Sequence, residues 1–244
     1  MSALPTRKDE AWRYSDMAAV AALWPPQPAR LISVPAGEAR ADVLRVTEGG
    51  IHDLRVELGA GARLNLALLV QSASYARVAL VAHLKAGASL DFGGVLLGAG
   101  AVVQEIVTDI RHDEPDAESR QRVRVVIDER AVGTYLGRIA VARDAQRTDA
   151  AQSARALVLK RTATANLKPE LEIYADDVKC AHGCTVGELD KAGLFYLQSR
   201  GVPRPEAEAL LTRAFVADAF AGLEDAAARE ALEAETARWL EARA

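Results

Sequence analysis

Between about residue 30 and residue 187 the chain is written in short apolar runs of four to eight residues, separated by glycine, asparagine and aspartate. Leu64–Val70, Val78–Leu84, Val102–Ile106, Val123–Ile127, Tyr135–Val141 and Leu157–Leu159 are of this kind. Several alternate apolar with polar residues, as in Arg122-Val123-Arg124-Val125-Val126-Ile127, the pattern of strands. No helical segment of about 10–15 residues is interposed, which excludes a βαβ fold. A weak internal repeat narrows the choice further. GAGARLNL begins at Gly59, KAGASLDF at Lys85 and GAGAVVQE at Gly98, steps of 26 and 13 residues. Equal half-steps are what a flattened coil with one strand on each side produces, and they favour a β-helix over a sandwich. The core is then a stack of aliphatic ladders, in keeping with only 5% aromatic residues.

A solenoid cannot end freely. Its last coil exposes unpaired backbone and an apolar rim, which must be capped or paired with another chain. The strand-like segment Leu171–Cys180 closes the β-region and is the candidate rim. Before the β-region, residues 1–29 read as an arm, helical or irregular over 4–24, broken by Pro25, Pro26 and Pro28. After it the pattern turns helical, giving three expected parts: arm 1–29, β-core 30–188 and a small helical region 189–244. Asp190 is placed to cap a first helix carrying Leu194, Phe195 and Leu197, and Gly201 with Pro203 stops it. A second helix near Pro205 places Leu211, Phe215 and Ala219 on one face, and a third piece carries Leu232, Trp239 and Leu240. These stripes serve either packing against the β-body or docking of a partner.

Composition excludes several classes. No run of 18 apolar residues exists, so no membrane span is expected. The opening MSALPTRKDEAWRY has no continuous apolar stretch, so no secretory signal is expected, and two cysteines make no disulfide framework. A reducing, cytoplasmic setting fits. The net charge is −4, and residues 204–244 alone carry nine acids against five arginines, so the body is balanced. With no basic stripe and few aromatics, nucleic acid is not an expected partner.

Chemistry concentrates in eleven residues, Tyr174 to Cys184, which hold both cysteines of the chain, His182 and the pair Asp176 and Asp177. Cys180, His182 and Cys184 are spaced i, i+2, i+4, which on a strand sends all three to one face. Such donors suit zinc, copper or iron–sulfur species. Alternate positions lie roughly 6–7 Å apart, however, too far for three to close around one metal with bonds of about 2.0–2.3 Å. Gly183 could bend the strand. Two readings stand: packed thiols beside a surface histidine, or a row of donors completed by a partner chain. A Cys180–Cys184 disulfide is not expected at that separation. Asp176 and Asp177 read as solvated turn acids rather than a catalytic carboxylate pair.

The string KPELEIYADDVKCAHGCTVGELD, followed by LFYLQSRGVP and an amphipathic helix, resembles the SufB/SufD family of iron–sulfur cluster assembly scaffolds, on its SufD side. The upstream GRIAVARDAQRTDAAQSARALVL is similar to the same family's penultimate β-helix segment. So is the opening Leu4-Pro5-Thr6-Arg7-Lys8 with Glu10, Trp12 and Tyr14. The resemblance covers the second half of the chain well and the first half loosely. It implies a right-handed parallel β-helix with a helical C-terminal domain, in a complex with SufB and the ATPase SufC. It places His182, with Cys180 beside it, at the SufB interface as the residue needed for cluster assembly. SufC would dock on the helical region at about 190–223, through Leu194, Phe195, Leu197, Leu211 and Phe215. Any iron or cluster would be held transiently and shared with SufB through His182 and Cys180, with no stably bound cofactor. The isolated chain would form a homodimer. The implied function is a non-enzymatic scaffold. Longer members carry a helical N-terminal domain that this chain is expected largely to lack, so nothing about that domain carries over. Cys184 varies in the family and weighs less than His182. The competing classes are a β-helix carbohydrate-active enzyme using Asp176 and Asp177, which the shortage of sugar-stacking aromatics disfavours, and a purely structural solenoid.

Overall fold

The structure, a computed structural model, describes residues 3–243. Met1, Ser2 and Ala244, which belong to the expected arm and helical region, lie outside the described residues. Twelve strands follow one another: β1 (Arg30–Val34), β2 (Ala39–Val46), β3 (Gly50–Leu58), β4 (Arg63–Val70), β5 (Ala76–Leu84) and β6 (Ser89–Gly98). Then come β7 (Val103–His112), β8 (Glu118–Ile127), β9 (Val132–Val141), β10 (Asp149–Val158), β11 (Thr164–Ile173) and β12 (Lys179–Gly187). Odd strands form one six-stranded sheet and even strands the other, each in coil order. Every strand pairing is parallel, and successive strands alternate between the sheets. This is a flattened parallel β-solenoid.

The repeat explains the coil. GAGARLNL and KAGASLDF supply the corners leading into β4 and β6, neighbours in the even sheet, whereas GAGAVVQE supplies the corner into β7 of the odd sheet. The 26-residue step is therefore one full turn and the 13-residue step a change of side. At the first two corners Gly61 and Gly87 sit at φ of +66° and +65°, where a side chain would strain the backbone.

Inward positions stack in ladders. Val78, Ile106 and Tyr135 superpose on β5, β7 and β9, all at most 1% exposed. Leu66, Phe92, Gln121 and Gln152 superpose on β4, β6, β8 and β10. Fully burying each aliphatic side chain contributes about 1.5–3 kcal/mol. The largely aliphatic core thus gains its stability from many modest, repeated contacts.

Both outer faces are covered. The arm, with a short 3₁₀ turn at Glu10–Trp12 and helix α1 (Met17–Leu23), runs along the odd sheet. Val20 packs there with Ile51 and Tyr75, and the Arg77 guanidinium lies 3.9 Å above the Trp12 ring. Beneath the arm, Arg77 pairs with Glu105 at 2.5 Å, and Glu105 also accepts from Tyr75 at 3.1 Å and Ser15 at 2.9 Å. The even sheet is covered by α3 (Arg204–Ala217), the turn after it and α4 (Ala226–Glu241), while α2 (Lys191–Ser199) packs on α3. Val216, Phe220, Leu232, Trp239 and Leu240 pack there against Ala67, Leu69, Val95, Leu97 and Val126. Gly93 permits the approach, because a Cβ there would collide with the carbonyl oxygen of Ala219. Arg124 and Asp218 clamp the contact with an ion pair.

Two sequence expectations change. Leu171–Cys180 is not one strand: β11 ends at Ile173, residues 174–178 turn the corner, and Lys179 opens β12. The corner residue Ala175 is buried among Ile139, Val141 and Ala150 and pins that turn. Leu211, Phe215 and Ala219 do not share one helix, since α3 ends at Ala217 and Ala219 sits in the following 3₁₀ turn.

Candidate functional site

The end of the solenoid decides where chemistry is accessible. Among the described residues β11 pairs only with β9, and β12 only with β10. Their outer edges are therefore unpaired along 10 and 9 residues. The register sets Cys180 over Ala150, His182 over Gln152 and Cys184 over Ala154. Those three partners are 1%, 3% and 0% exposed and point into the coil. The alternation expected for Cys180, His182 and Cys184 is thus present, and the shared face is the interior face of an unfinished coil. No further coil covers it. His182 and Cys184 are exposed, and Cys180 is half-buried at the edge of the Ile139–Val141 cluster.

Burial pushes the Cys180 thiol above its ordinary range, and the neighbouring Asp149 carboxylate adds to the effect against a backbone hydrogen bond from Ala150. A neutral thiol is a poor ligand and a poor nucleophile until something charged displaces its proton. Among the described residues no cluster of three His, Cys, Asp or Glu side chains is arranged to hold a metal ion. Cys180 and His182 present soft and intermediate donors, but on adjacent same-face positions they need further donors from outside the chain to enclose a metal.

Beneath His182 lies a buried polar network. Gln152 Nε2 donates to the Tyr135 hydroxyl at 2.9 Å. That hydroxyl donates to Gln121 Oε1 at 3.2 Å, and Thr108 donates to the same oxygen at 2.8 Å. Sequence reasoning did not find this network. The signal was present, since Gln121 is two positions before the inward Val123, but the face of Gln152 in an alanine-rich strand is fixed only by the register to β8. Gln152, His182 and Cys184 line one cleft of about 580 Å³, together with Arg120, Arg122 and Arg155. Arg122 is held bidentately by Asp91 and Arg120 by Asp149.

Asp176 and Asp177 are exposed on the corner between β11 and β12, where the Asp177 amide donates to Gln146. They are turn residues in solvent and face no groove of acids. The helical docking set divides. Phe195 is 73% exposed, whereas Leu194, Leu197, Leu211 and Phe215 are half-buried. Phe215 faces Arg124 of the even sheet, and Leu211 lies against Gly193 of α2. Tyr196 and Leu210, which the periodicity did not single out, are exposed at 58% and 41%. The free apolar surface of this region is therefore centred on the α2 aromatics.

The fold and site together define a parallel β-solenoid whose last coil presents Cys and His at an open edge. The profile of the family described as "SUF system FeS cluster assembly, SufBD core domain" matches residues 44–215, and the chain belongs to that family. It is similar to the iron–sulfur cluster assembly protein SufD of Escherichia coli, 37% identical over 118 residues, 48% of this chain and 28% of that protein. A SufBD family protein of Synechocystis is 39% identical over 132 residues, 54% of this chain and 28% of the relative. SufD of Bacillus subtilis is 32% identical over 123 residues, 50% of this chain and 28% of the relative. The chain thus spans 28% of the length of each of these three relatives. No helix among the described residues is long and apolar enough to cross a membrane.

Proposed function

We propose that this chain acts in iron–sulfur cluster assembly as a non-enzymatic scaffold whose open rim is completed by a second, SufB-type β-solenoid. The observation that carries this reading is the row Cys180, His182 and Cys184 on the interior face of an unpaired edge strand. A partner that continues the coil places its own donors opposite that row, so iron or a nascent cluster, as cargo, is bound between chains. His182 is the principal donor, because imidazole is the commonest metal ligand among side chains and this one stands exposed on the rim. Cys180 is secondary, because its thiol is held protonated. In the absence of that partner a second copy of the chain covers the rim as a homodimer. The α2–α3 surface around Phe195, with Leu194, Leu197 and Tyr196, docks the ATPase SufC, and the protein works in the cytoplasm.

The test compares His182→Ala with Cys184→Ala in a cell that depends on the SUF pathway. His182→Ala should assemble a complex of normal composition and lose cluster formation, while Cys184→Ala should retain it. Normal cluster formation by His182→Ala in an intact complex refutes the reading. Phe195→Asp should weaken capture of the ATPase without altering the far-ultraviolet circular dichroism spectrum.

A further inference from the structure

Gln152 is 3% exposed, yet its Oε1 has no protein partner. A buried carbonyl oxygen left without a donor is costly, and native interiors rarely tolerate one. Its orientation is set from below. Nε2 donates to the Tyr135 hydroxyl, and that hydroxyl and Thr108 both donate to Gln121 Oε1. The hydroxyl protons of Tyr135 and Thr108 both run to Gln121 Oε1, and the Gln152 oxygen is left over. The backbone makes room for this arrangement at Gly137, where a Cβ would collide with both Gln152 Nε2 and the Tyr135 hydroxyl. The next inward residue towards the rim is His182, in direct register with Gln152, one strand spacing of about 4.8 Å away and lining the same cleft. Gln121 Nε2 is also without a protein partner, but it lies two strands from His182, roughly 9–10 Å, beyond reach.

We infer that Gln152 is the positioning residue for His182: the exposed imidazole, not bonded to Gln152 in this structure, turns inward about its own side-chain torsions to place one ring N–H on Gln152 Oε1, which fixes the tautomer and turns the other nitrogen's lone pair towards the rim. Histidines that serve as ligands commonly donate their second ring N–H to an oxygen acceptor that orients the ring. Here the acceptor is anchored through Tyr135, Thr108 and Gln121 to both sheets, so the last rigid coil sets the direction of a donor on the open edge. This inference rests on His182 being the rim donor. It concerns the free chain and needs no cargo for its test, so either statement can fail alone.

The test uses the full chain labelled with ¹⁵N-histidine, at a pH where the imidazole is neutral, with two-bond ¹H–¹⁵N correlation spectra. The His182 signals are assigned by their loss in His182→Ala. In the wild type His182 should show one tautomer, favoured roughly tenfold, the bias a single net hydrogen bond supplies. Gln152→Leu should return the ring to averaged tautomers, and Gln152→Glu, which retains an acceptor oxygen, should keep it fixed. Gln152→Met carries the same expectation as Gln152→Leu should the latter fail to fold. Averaged tautomers in the wild type, as when water alone meets the Gln152 oxygen, overturn the inference without any variant. A fixed tautomer that survives Gln152→Leu or Gln152→Met does the same.

Discussion

The two ends of the solenoid are built differently. At the N-terminal end β1 has only five residues, and its inward Ile32 and Val34 are 0% and 2% exposed. The adjacent edge strand β2 carries Arg40, Asp42 and Arg45, with Arg40 paired to Asp42 and Arg45 to Glu235 of α4. A short strand and a charged edge are two of the devices by which sheets avoid pairing with other chains. At the C-terminal end β11 has 10 residues against the 5 of β1, β12 has 9 against the 8 of β2, and β12 holds no acid. Its inward His182, Cys184 and Val186 are exposed. β11 is itself guarded by Lys168, Pro169, Glu170 and Glu172, so at this end it is the β12 edge that is left ready for association. An exposed edge of that length is a liability in a free protein, so its retention points to an interface.

The largest expected effect tests whether the ends differ in kind. Ile32→Ala removes a fully buried side chain and should cost about 2–5 kcal/mol in urea unfolding. Val186→Ala occupies an equally inward position, but Val186 is 51% exposed, and the dilute protein should lose no more than about 0.5 kcal/mol. Equal losses would mean that the rim is already closed in the free chain.

Much of this was legible in the sequence. The strand pattern of the sequence is that of β1 to β12, and Asp190 caps α2 by accepting from the amides of Ala192 and Gly193. Local alternation and turn chemistry carry such signals. The shared face of Cys180, His182 and Cys184 followed from period two alone. What stayed hidden depends on pairings distant in sequence. Lys168 on β11 meets Glu10 of the arm, 158 residues away, and Arg77 meets Trp12 and Glu105. Leu211 and Phe215 carried the right apolar period, but period does not say which neighbour covers a helix face. Here the neighbours are α2 and Arg124 of the even sheet, which leaves the α2 aromatics free.

A second expectation separates an interior histidine from the one at the rim. His112 is fully buried, bonded through Nε2 to Ser119, and burial pushes its pKa down to about 4, with Asp113 opposing weakly. Its folded pKa lies below the unfolded value near 6.5, so below that pH the unfolded chain takes up a proton that the native chain refuses. Stability is therefore lost as pH falls from about 6.5 to 4, by up to about 3 kcal/mol in all. His112→Gln should flatten this part of the pH–stability curve relative to the wild type. An unchanged slope would show that His112 is not held neutral in the closed coils.

Gly137 sharpens the comparison next to the rim, because it keeps space for the polar network on which the last coil rests. Gly137→Ala forces Gln152 and Tyr135 apart and should cost about 1–3 kcal/mol, the usual range for overpacking. The same substitution at Gly183, on the outward face of the edge strand β12, meets nothing within 4 Å and should be near neutral. Matching penalties at the two glycines would contradict the close packing of Gln152 and Tyr135 around Gly137.

The smallest effect bears on the rim as an association surface. If β11 and β12 pair with a second copy, the chain should be dimeric by light scattering at tens of micromolar, a range where weak interfaces populate, on the order of a micromolar Kd for about −8 kcal/mol. Val186→Lys sets a charge on the inward face of that open edge, where Val186 now offers exposed apolar surface. A two-fold pairing would bury one such charge from each chain, so dimerisation should weaken about tenfold or more, equivalent to roughly 1.4 kcal/mol. The monomer's stability should not change, because in the free chain the side chain remains in water. Arg40→Ala at the other end removes a charge from an edge already closed and should leave association unaffected. If Arg40→Ala alters dimerisation and Val186→Lys does not, the two ends have been assigned the wrong way round.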